Sequence, residues 1–195
     1  MSTGLLDNGF NVVTATDSSA ARKVFFRDVL PNMKANGMFW GDSVTLKVTG
    51  VLDKLLQNSS INLIQTFEEG VEKRKLLERH RQTVLTDLFL IGGNTVIKDG
   101  KIINLAMIGI RTAPISFGPK KLILFIDRNK ICTDMVSAMA WVKTIAAPSN
   151  AKRHQMQTPC TQTGRCHHAA RRNGSATACR SSAKVSQRSH HGNSD

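Results

Sequence analysis

Apolar and polar positions alternate along the first 150 residues in a rhythm that changes period several times. Asn11–Thr14 is a short β-type run. Thr16-Asp17-Ser18-Ser19 then supplies an N-cap for a helix from Ala20 to Leu30, closed by Pro31. Gly37-Met38-Phe39-Trp40 has the unbroken apolar character of a buried strand. After the Gly41-Asp42-Ser43 turn, Val44, Leu46, Val48, Val51, Leu52, Leu55 and Leu56 follow a helical period. Ile61–Gln65 predicts another strand, and Val71 to Val84 a solvated amphipathic helix. Leu88–Ile91 is a further strand, and Asn94 to Leu105 a hairpin centred on Asp99-Gly100. Leu122–Ile126 is the most apolar strand. Thr133 or Asp134 caps a helix running to about Ala146. Strands alternating with helices predict a three-layer α/β domain with a largely parallel sheet, to which the hairpin adds a local antiparallel element.

The rhythm stops near Pro148–Arg153. Residues 151–195 contain no Leu, Ile, Phe or Trp, yet carry eight Lys/Arg against one acid, five of the six His and three of the four Cys. Such a segment cannot bury enough apolar surface to offset its ordering entropy, so it reads as a disordered C-terminal tail. The formal charge of +13 over 195 residues is therefore concentrated at one end. Lys/Arg neutralise phosphate, but this tail has no aromatic residues for base stacking, which disfavours nucleic acid as a specific partner. No apolar run approaches a membrane span. The first residues lack a secretory pattern, and sparse cysteines fit a reducing compartment, so the expected location is the cytoplasm.

Candidate chemistry falls in the turns. Gly41 and Ser43 lie where a strand feeds a helix, a place suited to a phosphate or carboxylate; the plainer alternative is that Asp42 or Ser43 only caps the helix. Gly92-Gly93-Asn94 permits close backbone approach or simply turns the chain. Arg111 can hold a carboxylate with both prongs of its guanidinium or stand on the surface. Gly118, Lys120 and Lys121 form either an anion-binding turn or a rigid Gly-Pro corner with two solvated lysines. Arg128, Asn129 and Lys130 follow the most apolar strand, at the end where α/β sheets bind ligands. No dinucleotide fingerprint, P-loop, zinc-protease helix or Ser/His/Asp set is present. Cys160 and Cys166 suit zinc or an iron–sulfur cluster, but their spacing leaves the ligand set incomplete.

Leu88 to Cys166 resembles the LUD domain of lactate-utilisation proteins, in its short stand-alone form. The resemblance rests on Asn94-Thr95-Val96-Ile97-Lys98-Asp99-Gly100-Lys101-Ile102-Ile103-Asn104, Phe117-Gly118-Pro119-Lys120-Lys121, Arg128-Asn129-Lys130-Ile131, Ala146-Ala147-Pro148-Ser149-Asn150-Ala151-Lys152-Arg153, Thr158-Pro159-Cys160 and Thr163-Gly164-Arg165-Cys166. Weaker similarity reaches back through Gly41-Asp42-Ser43. It implies a NagB/RpiA/CoA-transferase-like fold and a role around oxidation of L-lactate to pyruvate, beside iron–sulfur and flavin proteins. A small organic anion, or a phosphate or CoA ester, is the implied ligand, bound through Gly41, Ser43, Asn94, Gly109, Arg111, Gly118, Lys120, Lys121, Arg128, Asn129 and Lys130. Whether the domain is an accessory protein or an enzyme acting on such an ester stays open.

Two departures stand out. Where the family reads Asn-Val-Asp-Gly-Thr-Gly-Asn-Arg, this chain has Asn104-Leu105-Ala106-Met107-Ile108-Gly109-Ile110-Arg111, which keeps Gly109 and Arg111 but loses acidic and amide side chains. After Cys166 the family supplies further cysteines, a helix and an apolar strand; here Ala169 and a polar tail follow. The chain thus divides into an α/β domain over 1–153, a Cys-containing segment over 154–167, and a basic tail over 168–195 that is either divergent or translated from a shifted reading frame. An iron–sulfur cluster or zinc belongs to relatives with the full cysteine set.

Overall fold

A computed structural model describes residues 2–58, 61–68, 70–106, 109–167 and 180–183. Its centre is a parallel sheet in the order β2-β1-β3-β6, built from β1 (Met38–Trp40), β2 (Leu63–Ile64), β3 (Leu88–Gly92) and β6 (Lys121–Phe125). Phe39 pairs with Phe89 and Leu90 with Ile123, which places the apolar runs side by side in register. Side chains alternate between the faces with the period of two that a pleated strand imposes. Met38, Trp40, Leu88 and Leu90 face one side and pack with Phe25, Leu46, Val51, Leu52 and Leu55. Phe39, Phe89 and Ile91 face the other, with Ile115 and Leu124. Phe39 and Phe89 stack with ring centres 4.0 Å apart. Burial of each such ring contributes about 1.5–3 kcal/mol.

The helices supplying the first face are α2 (Ser18–Val24), capped by the Asp17 carboxylate accepting from the Ala20 N–H at 2.8 Å, and the pair α3 (Val44–Val48) and α4 (Val51–Leu56). The sequence predicts one helix from Val44 to Leu56. It breaks instead at Gly50, whose φ of 66° is left-handed and costs a glycine little. Helix α5 (Lys73–Gln82) carries the chain from β2 across to β3, as its charged amphipathic pattern predicts. The predicted strand at Asn11–Thr14 is absent: this stretch is largely exposed and no strand pairs with it. Ahead of it, α1 (Ser2–Asp7) docks on the hairpin turn, where the Asn8 side-chain amide donates to the Gly4 and Asp99 carbonyls.

The Asp99-Gly100 hairpin forms as predicted from β4 (Thr95–Ile97) and β5 (Ile102–Ala106), but it belongs to a second sheet rather than to the first. That sheet runs β7-β4-β5-β8, with β7 (Ile131–Cys132) parallel to β4, and β8 (Arg180–Ala183) antiparallel to β5. Ile97 and Ile103 pack there against Ala138 and Val142. The stretch 151–195, expected to be disordered, is instead ordered over 151–167, which includes a helix at Pro159–Thr163 and buried Cys160 and Cys166, and four of its residues pair here with β5. The rest of the 168–195 tail lies outside the described residues.

Two further short helices, α6 (Thr112–Ser116) and α9 (Pro159–Thr163), flank α7 (Met135–Trp141) and α8 (Ala147–Arg153) in the chain. Asp134 and Ser137 cap α7 reciprocally. A π turn over Val142–Ala146 joins α7 to α8, so the helix predicted to stop at Ala146 continues to Arg153. Pro148 explains the turn: it offers no N–H and its ring crowds the carbonyl four residues back. The Ala147 N–H bonds to the Val142 carbonyl, five residues away. The same device stands at Phe25–Val29, where the Leu30 N–H reaches the Phe25 carbonyl just before Pro31. Among the described residues no helix is long and apolar enough to cross a membrane.

Candidate functional site

Strand β1 leads by α3 and α4 to β2 on one side, whereas β3 lies on its other side. Chain direction therefore diverges between β1 and β3, and in parallel sheets this switch point leaves a crevice outside the carboxyl ends of the strands. A cleft of about 210 Å³ opens there. Its floor is Asp42 and Ser43 after β1, with Gly92 at the end of β3 and Gly93 and Asn94 just after it. Arg111 and Lys130 close one wall; Trp141, Ile145 and Arg153 close the other. The loops meet because Gly92 has no side chain: a Cβ there would lie 2.2 Å from the Ser43 hydroxyl oxygen.

Ser43, and not Asp42, caps α3, its hydroxyl oxygen accepting from the Leu46 N–H at 3.2 Å. Asp42 is thereby left to bind charges. Arg153 grips its carboxylate with both guanidinium nitrogens, one at 2.9 Å. His154 Nε2 lies 2.7 Å from the same carboxylate and Lys47 Nζ 3.8 Å. Burial pushes the Asp42 carboxyl up, but the hydrogen bonds from Arg153 and His154 outweigh it and hold the pKa below the ordinary range.

Arg111 precedes α6 and donates from Nη2 to the Asp42 backbone carbonyl at 2.7 Å. Among the described residues no carboxylate lies within ion-pair distance of its guanidinium. Desolvation on partial burial lowers its pKa; Asp42 counters this and the nearby Arg153 adds to it. Lys130 donates to the Thr45 hydroxyl, which in turn donates to Asp127 at 2.7 Å. Burial depresses the Lys130 pKa as well, with Asp127, 4.0 Å away, opposing and Arg111 reinforcing that effect. Two partly desolvated cations thus share one cleft and repel each other. Asn94 lines the floor while bracing it: its Oδ1 accepts from the Leu105 N–H at 2.7 Å, and its own N–H donates to Asn104 Oδ1 at 3.1 Å.

Of the residues singled out from sequence, Ser43, Asn94, Arg111 and Lys130 line the cleft. Gly41 sits just beneath, against Ile91 and Phe89. Gly109 starts the turn that carries Arg111, with φ 83° and its carbonyl accepting from the Ala113 N–H. Arg128 and Asn129 are exposed on the turn after β6, pointing away from the lining. Gly118, Lys120 and Lys121 are not part of the cleft. Gly118 and Lys120 precede β6 and Lys121 is its first residue, so all three lie at the amino end of the sheet, where Lys120 pairs with Asp87 at 2.7 Å and Lys121 reaches the Asn32 carbonyl. Gly118 is needed there for fit: its φ is 129°, and a Cβ would meet the Val84 backbone at 2.6 Å.

Sequence reading missed Trp141, at the end of α7, and Ser149, Asn150 and Arg153, which face the cleft because the helix continues through its π turn. Cys160 and Cys166 are both buried beside α8, with the Cys166 N–H bonded to the Lys143 carbonyl. Two thiols are half of a tetrahedral metal set, and among the described residues no three His, Cys, Asp or Glu side chains gather. Of the other His and Cys residues following them, His167 is exposed, and His168 and Cys179 lie outside the described residues.

The model of one protein family, the LUD domain, matches residues 1–193. No curated protein and no solved structure matches the chain.

Proposed function

Because the chain belongs to the LUD-domain family, we propose that it is an accessory protein of lactate utilisation that binds a small organic anion in the cleft between β1 and β3. The observation that carries this reading is Arg111: a partly buried guanidinium, aligned by a backbone carbonyl and facing an open crevice without a carboxylate partner among the described residues. An arginine held in this way presents its remaining donors in the planar fork that matches a carboxylate or phosphate. Lys130 adds a second charge, fixed by Thr45. The Ser43 hydroxyl accepts from Leu46 and keeps its own hydrogen to donate. Asp42, clamped by Arg153 and His154, fixes the far wall and is not available as a nucleophile, which weighs against an acyl- or phospho-enzyme on this residue.

Thermal-shift titration tests the reading with L-lactate, pyruvate, inorganic phosphate, glycerol 3-phosphate and coenzyme A. A ligand that binds the folded state alone stabilises it by about 2.7 kcal/mol at one hundred times its Kd. A shift with at least one of these anions, lost in Arg111→Met, supports an anion site. Equal shifts in both proteins, or none with any anion, overturn it.

A further inference from the structure

The balance of charge around the cleft narrows the class of ligand; this step rests on the anion reading above. The walls carry Arg111, Lys130 and Arg153 against the single carboxylate of Asp42. Widening the boundary adds one charge of each sign, Asp127 at 4.0 Å from Lys130 and Lys47 at 3.8 Å from Asp42. Either boundary leaves a surplus of two positive charges. The surplus is also localised. Asp42 is occupied by Arg153, whereas Arg111 is aimed by a backbone carbonyl and Lys130 by the Thr45 hydroxyl, with the half-exposed Asp127 carboxylate 4.0 Å from Lys130 offsetting its charge only in part. A monocarboxylate held by Arg111 leaves Lys130 partly desolvated with only that long contact to a half-exposed carboxylate, which is costly.

The rim has the opposite character. Val44 and Ile145 line the mouth while remaining 53% and 45% exposed, beside Trp141. Large apolar side chains at the lip of a charged cleft suit the carbon body of a bound molecule whose head is compact and doubly charged. We infer that the cleft takes a phosphomonoester of a small organic molecule, its phosphoryl group between Arg111 and Lys130 and its carbon chain against Val44, Trp141 and Ile145. The arginine fork engages two phosphoryl oxygens, and the lysine ammonium acts as a point charge on the third.

Calorimetric titration of the full chain tests this with glycerol 3-phosphate, inorganic phosphate, sulfate, succinate, L-lactate and pyruvate. Glycerol 3-phosphate is expected to bind at least tenfold tighter than lactate or pyruvate, and tighter than inorganic phosphate, which leaves the rim bare. Between pH 5 and pH 7 its affinity relative to sulfate, dianionic throughout, rises by close to tenfold as the second phosphate proton leaves near a pKa of about 6. Taking the ratio cancels changes in the protein's own charge that act on both ligands alike. Lys130→Gln lowers glycerol 3-phosphate affinity at least tenfold and erases its advantage over lactate, while Arg111→Lys weakens it similarly by removing the fork. Monocarboxylates binding as tightly as the ester overturn the phosphomonoester and leave the anion site standing. Succinate binding tighter than the ester overturns it in favour of two separated carboxylates. Absence of binding by every anion overturns both readings.

Discussion

The two ends of the parallel sheet carry similar residues and put them to different uses. At the amino end, Lys120 is 80% exposed and paired with Asp87, Lys121 touches a carbonyl, and Gly118 presses on the Val84 backbone. At the carboxyl end, Lys130 is 20% exposed, Arg111 is partly buried, and Gly92 lets two loops meet. Water screens the first set, and an exposed pair of that kind contributes at most about 1 kcal/mol. The second set is partly removed from water and placed where the strand order reverses. A cluster of lysines beside a glycine therefore says little about binding until its end of the sheet and its hydration are known.

Four substitutions test this contrast. Phe89→Ala removes a fully buried ring stacked on Phe39 beneath both ends, and is expected to destabilise the fold by about 3–5 kcal/mol in urea unfolding. An intact amino end with a collapsed cleft would contradict a shared support. Gly118→Ala forces a Cβ into the Val84 backbone at a left-handed φ and costs about 1–3 kcal/mol, with anion affinity unchanged in the surviving folded protein. Weakened anion binding there would show that the ends are coupled. Asp42→Asn releases Arg153 and is expected to cost about 1–3 kcal/mol at neutral pH. The Asp42 pKa lies below its unfolded value, so its stabilising contribution is complete above about pH 4 and is lost as pH falls through the folded value. The deficit of the variant should shrink along that acid limb, and a constant deficit in acid unfolding would refute the clamp. Lys120→Gln changes stability by about 0.5 kcal/mol or less and leaves titrations with glycerol 3-phosphate as they are in the parent chain.

The strands at Gly37–Trp40, Leu88–Ile91 and Leu122–Ile126 are legible in sequence because an uninterrupted apolar run bounded by turns suits a strand buried on both faces. Ser43, Asn94, Arg111 and Lys130 are legible for a related reason: each stands in a turn beside such elements. Asn11–Thr14 misleads because β-branched residues alone do not provide a neighbouring strand. The break at Gly50 is written in the sequence, but apolar spacing on both sides masks it. Gly118-Pro119-Lys120-Lys121 attracts attention through composition, yet it precedes its strand and so belongs to the wrong end. Arg153 is the hardest to foresee, since 111 residues separate it from Asp42.

The π turn at Val142–Ala146 makes that last partnership sensitive to length as well as to side-chain chemistry. Successive residues of an α-helix advance by about 100°, so deleting one residue from the turn would rotate α8 by that amount relative to α7. Ser149, Asn150 and Arg153 would swing together out of the crevice, and Asp42 would lose its clamp, with every cleft residue still present in the chain. A one-residue deletion here thus acts as a change of phase, uncoupling the helix from the sheet while the composition of the cleft stays the same.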